Sequence, residues 1–118
     1  MEVEGKTIRD VAKNLIKEIN DKVNTFGEYE NFSTKFEVKG KDIREALEDL
    51  ANKIVSYFEK KNAIFEELEI EVVPLKKWVL RIVAKGKVFE DVKKDFREVK
   101  ISRLEESESG WKLEFSLN

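Results

Sequence analysis

Acid-base and nucleophilic chemistry at neutral pH draws first on His and Cys, and this chain of 118 residues contains neither. Ser, Tyr, Lys and the carboxylates remain. Ser109-Gly110-Trp111-Lys112 spells S-x-x-K, the pattern of serine acylases whose Lys activates a Ser one helical turn away. Here the four residues straddle an expected turn and strand start, where side chains three apart do not converge, so the hairpin-turn reading is preferred. Glu67, Glu69 and Glu71 form an acidic row on one face of an expected strand, and their oxygens could hold a hard cation. If Leu68, Ile70 and Val72 face the core with Trp78, Leu80 and Ile82, the acids share the opposite face with Lys77 and Arg81. Cross-strand ion pairs then account for them without a metal. No catalytic residue, cofactor or metal is expected, and the chain is read as a non-enzyme.

The net charge is -2, yet residues 76–103 hold ten Lys/Arg against four acids. Within that stretch Lys77, Arg81, Lys85 and Lys100 could line an open sheet face and contact RNA phosphates or an acidic protein. Phosphate-binding sheets usually add exposed aromatics on which bases stack. Trp78 and Trp111 fall on the inward register, so this face is expected to offer none, and neither base-specific nor DNA-specific recognition is supported. Gly5 and Gly40 precede helix starts but lack a phosphate-loop context. Tight turns explain them.

These residues must be positioned by a small set of elements. Ile8, Val11, Ala12, Leu15, Ile16, Ile19 and Val23 recur at three- and four-residue steps, predicting a helix over 8–24. Thr7 with Asp10 resembles a capping box at its start. Ile43, Ala46, Leu47, Leu50, Ala51, Ile54, Tyr57 and Phe58 predict a second helix over 43–60, behind Asp42. Strand signals lie at 2–4 and 32–39 before the helices. After them the period becomes two: 67–72 and 78–84 read as a hairpin turning at Pro74-Leu75, followed by strands at Val99-Ile101 and 111–117 across the polar stretch 105–110. The order β-α-β-α-β-β-β-β predicts an α+β two-layer sandwich, two helices packed on a largely antiparallel sheet whose other face is wet.

Length suits one domain, residues 1–118. No apolar run is long enough to cross a bilayer and no signal-peptide pattern opens the sequence, so a cytoplasmic address is expected. Charged residues reach 41%, with no Gln and one Met, a composition high-temperature proteins tend toward. Residues 3–15 and 38–50 match at Val3/Val38, Gly5/Gly40, Lys6/Lys41, Ile8/Ile43, Arg9/Arg44 and Leu15/Leu50, a duplicated strand-helix unit.

Gly5-Lys6-Thr7-Ile8-Arg9-Asp10-Val11, Val38-Lys39-Gly40-Lys41-Asp42-Ile43, Asn62 to Ile70, Glu98-Val99-Lys100-Ile101 and Gly110-Trp111 occur in an order that resembles the archease family, accessory factors of a tRNA-splicing RNA ligase. The resemblance spans most of the chain and implies the family fold. The family's H-T-A-D metal-site segment has no match in this sequence. Its Tyr-His is replaced by Leu104-Glu105, and its C-terminal Asp-containing strand by one ending Leu117-Asn118. A neutral amide in place of a carboxylate weakens a cation site. The expected role is therefore a divergent, non-catalytic archease-like binding or accessory module with a link to RNA processing, whose partner is a protein or ribonucleoprotein. A small RNA-binding protein using the 76–103 face is the alternative. No membrane contact is expected, and the chain is read as a monomer or small homo-oligomer.

Overall fold

The structure, a computed structural model covering residues 1–118, contains β1 (Glu2–Gly5), α1 (Ile8–Asp21), β2 (Asn24–Gly40), α2 (Ile43–Lys61), β3 (Ala63–Pro74), β4 (Trp78–Lys93), β5 (Val99–Ser107) and β6 (Gly110–Leu117). The α+β class and the element order agree with the sequence reading. The strands divide into two three-stranded sheets, β1-β6-β5 and β2-β4-β3, with every pairing antiparallel. Neither helix is long and apolar enough to cross a membrane.

The two sheets are built alike. In each, a leading strand that feeds a helix pairs with the second strand of a hairpin: β1 with β6, and β2 with β4. Gly5 and Gly40 occupy matching places for a shared reason. A Cβ on Gly5 would stand 2.6 Å from the Val11 nitrogen, and one on Gly40 2.3 Å from the Ala46 nitrogen, in both cases backbone of the following helix. Thr7 caps α1 through the expected box, its Oγ1 accepting from the Asp10 N–H at 3.1 Å while Asp10 accepts from the Thr7 N–H. Asp42 caps α2, accepting from the Glu45 N–H at 2.8 Å. Asn62, left-handed at φ 54°, stops α2, a conformation Asn tolerates better than most residues.

The helix stripes and the inner sheet faces share one hydrophobic core that includes Leu15, Leu47, Leu50, Ile54, Phe58, Phe65, Leu80, Ile82 and Leu113. Several boundaries differ from expectation. α1 ends at Asp21 rather than 24, because the chain turns there and Val23 reaches the core from outside the helix. β2 begins at Asn24, eight residues early, and β4 runs on to Lys93, the two forming a ribbon that extends past the core. Residues 24–31 of β2 are all exposed and so carry no burial alternation, although Val88 and Val92 on β4 still pack against the core, and a bulge between Phe26 and Tyr29 breaks the register. The β5-β6 turn is shorter than the polar stretch implied, since Ser107 already pairs with Gly110.

Candidate functional site

The outer face of the β2-β4-β3 sheet is covered by no helix: Ser33, Lys35, Glu37, Glu67, Glu69, Glu71, Arg81 and Lys85 are all exposed. Strand alternation puts them on one side, because each residue pointing inward to the core is flanked by two pointing out. Arg81 sits on the central strand between two acids. Its Nε lies 3.1 Å from Glu37 Oε1 on β2, and its terminal nitrogen 3.7 Å from Glu71 Oε1 on β3. All three side chains are about half exposed, so each contact is worth only about 0–1 kcal/mol. They fix the guanidinium more than they stabilise the fold.

Lys85 lies one step along β4, opposite Ser33 and Glu67. Lys77 falls in the loop between β3 and β4. Lys100 is on β5, opposite Ser116, and so belongs to the other sheet. The four basic residues singled out from sequence therefore do not form one surface: Arg81 and Lys85 share a face, Lys77 borders it, and Lys100 stands apart.

Two aromatics were missed. Tyr29 opposes Phe89 on this outer face, with ring centroids 5.7 Å apart. Lys87 places its ammonium 4.5 Å from the Tyr29 ring centroid and 3.2 Å from Glu66 Oε1. The expectation of a face without aromatics is thus corrected. Tyr29 lies in the ribbon portion of β2, where the sequence lacks a strand pattern, so its register could not be assigned. Basic residues alternating through Lys85 and Lys87 were the available signal.

The remaining sequence candidates resolve into separate pairings. Glu71 meets Arg81, Glu67 opposes Lys85 and Glu69 opposes Val83. No three His, Cys, Asp or Glu side chains converge into a metal-holding group. Ser109 Oγ lies 3.0 Å from Ser107 Oγ in the β5-β6 turn, whereas Lys112 Nζ lies 3.2 Å from Glu2 Oε1 across the β1-β6 pair. The hydrogen bond and charge of Glu2 raise the Lys112 pKa above 10.5. A lysine acting as general base needs its charged form disfavoured, the opposite shift.

A concavity of about 750 Å³ lies between α1 and the outer edge of β3, with Lys13, Lys17, Asn20, Phe65 and Leu68 among its walls. Lys87 and Phe89 also line it, so it adjoins the aromatic end of the outer face. No protein-family model matches the chain, and no curated protein is significantly similar to it.

Proposed function

We propose that this protein is a non-catalytic, archease-like binding module that serves RNA processing as an accessory factor, docking a partner protein or ribonucleoprotein on the outer face of the β2-β4-β3 sheet. The observation that carries this reading is that face itself, uncovered along three strands and ending in the Tyr29–Phe89 pair. Tyr and Arg are the side chains that most often anchor protein interfaces, and Arg81 is already held in place by Glu37 and Glu71. The interleaved acids favour a protein with its own mixed charge over bare phosphate backbone, which Glu67, Glu69 and Glu71 would repel. The non-catalytic reading is supported by the Ser109 and Lys112 pairings, each directed away from the other.

Affinity purification from source cells, with mass spectrometry, tests the proposal when the native chain is compared with a Tyr29→Ala/Arg81→Glu variant. An RNA ligase or RNA-processing protein recovered with the native chain and lost with the variant is the expected result. Equal recovery with both would remove the outer face from the interaction.

One observation favours a second reading, direct RNA binding: Tyr29 and Phe89 beside Lys85 and Lys87 make a small stacking platform with adjacent cations. Single-stranded RNA bound there must be released by salt, with log K falling by about 0.7 per log unit for each phosphate neutralised. RNA binding that does not weaken from low to moderate salt rules this reading out.

A further inference from the structure

The two sheets each expose one edge to a helix, and the helices treat those edges differently. β5 is an edge strand, and α2 closes it with three side chains spaced four residues apart. Arg44 donates to the Ile101 carbonyl at 3.0 Å, and Glu48 accepts from the Ile101 N–H at 2.8 Å. Asn52 donates to the Val99 carbonyl at 2.9 Å and accepts from the Val99 N–H at 2.8 Å. One helix face thus mimics a neighbouring strand and leaves no unpaired group there for another chain.

β3 is the corresponding edge of the other sheet, and α1 is the corresponding helix. Arg9, the duplicate of Arg44, donates to the Ile70 carbonyl at 2.7 Å, so Ile70 stands where Ile101 stands and Leu68 where Val99 stands. The same 35-residue offset that pairs Arg9 with Arg44 puts Lys13 in the place of Glu48 and Lys17 in the place of Asn52. A lysine has three donors and no acceptor, so neither can receive a backbone N–H. Leu68 N–H and C=O point the same way as the Ile70 carbonyl, because alternate residues of an antiparallel strand face the same edge. They open onto the 750 Å³ groove. At its far end Asn20 donates to the Phe65 carbonyl at 2.7 Å, while its Oδ1 is buried without a partner.

We propose that this edge is a docking site for an extended acidic peptide segment of a partner protein, which adds to β3 at Leu68 as a short strand. The peptide's carbonyl accepts from the Leu68 N–H and its N–H donates to the Leu68 carbonyl, supplying what Asn52 supplies to Val99. Its carboxylates meet Lys13 and Lys17, which are exposed and ion-paired to nothing. The acids bordering the groove leave those two lysines available: Glu66 is bound to Lys87, Glu67 faces the outer sheet surface opposite Lys85, and Asp21 lies at the end of α1. Addition of a strand to an exposed edge gives affinity through main-chain hydrogen bonds and specificity through alternate side chains. The site adjoins the outer face through Lys87 and Phe89, but its main-chain pairing at Leu68 and its contacts to Lys13 and Lys17 do not rest on the outer-face reading.

The test uses the full chain, a fluorescent Val-Glu-Val-Glu-Val-Glu peptide and its Val-Lys counterpart, with anisotropy and amide hydrogen exchange as readouts. The acidic peptide is expected to bind saturably and to slow Leu68 exchange at least tenfold, and the basic one to do neither. A Lys13→Glu/Lys17→Asn variant installs the α2 seal on α1; it should weaken the acidic peptide at least tenfold without lowering the melting temperature. Four results overturn the proposal: no saturable binding, equal binding of both peptides, unchanged binding by the variant, or a Leu68 amide as protected in the free protein as that of Val99.

Discussion

Asn52 and Lys17 occupy matching positions on the two helices, and replacing each by Ala should have very different consequences. Asn52→Ala strips the Val99 N–H and C=O of their partners, and Val99 is 1% exposed. A buried backbone group left unpaired costs about 1–3 kcal/mol, so two such groups set a gross loss of about 2–6 kcal/mol. Asn52 is half-buried, which lets water recover part of that, and Ala gains about 0.5 kcal/mol of helix propensity over Asn. A net destabilisation of about 2–3 kcal/mol follows, which for a domain of this size lowers the melting temperature by about 10 °C. Lys17 makes no hydrogen bond, and Lys17→Ala should stay within about 0.5 kcal/mol of the native chain. Urea denaturation followed by circular dichroism measures both, and exchange at the Val99 amide localises the effect. If Asn52→Ala and Lys17→Ala shift the midpoint equally, α2 does not seal the β5 edge and the contrast between the two edges collapses.

Gly40→Ala forces a Cβ to within 2.3 Å of the Ala46 nitrogen, and because that atom is helix backbone the first turn of α2 must move; a loss of about 2–4 kcal/mol is expected in thermal unfolding. Arg81→Ala removes two half-exposed ion pairs of about 0–1 kcal/mol each and should change stability by no more than about 2 kcal/mol, so a large loss of partner recovery by a variant that still unfolds cooperatively reports on binding and not on folding. The raised Lys112 pKa stabilises the fold fully below pH 10.5, and that contribution disappears as pH rises through the higher folded-state value; NMR titration of Lys112 should show the shift in the native chain and its loss in Glu2→Gln.

Much of the architecture could be read from periodicity. Both helices, their caps at Thr7 and Asp42, and the β3-β4 hairpin at Pro74 follow from local chemistry, since a 3.6-residue or two-residue apolar stripe has few ways to be buried. The ribbon formed by the first half of β2 and the end of β4 could not be read that way. Residues 24–31 of β2 are all exposed while the core contacts of the ribbon come from Val88 and Val92 on β4, so Phe26 and Tyr29 carry no alternation to mark a strand. The grouping of Lys77, Arg81, Lys85 and Lys100 failed at Lys100 for a related reason: a run of basic residues in sequence does not say which strands pair, and β5 joins β6 and β1 instead of β4.

By itself the sequence determined the element order, the inward register of Leu68, Ile70, Leu80 and Ile82, and the matched strand-helix units, because these depend on neighbours only a few residues apart. Tertiary structure alone decided that there are two sheets, that Tyr29 meets Phe89, and that Arg9 and Arg44 each reach across to the edge of a strand from a later hairpin. Those contacts join residues 57 or more positions apart, and which distant backbone carbonyl an arginine finds is fixed by how the layers pack.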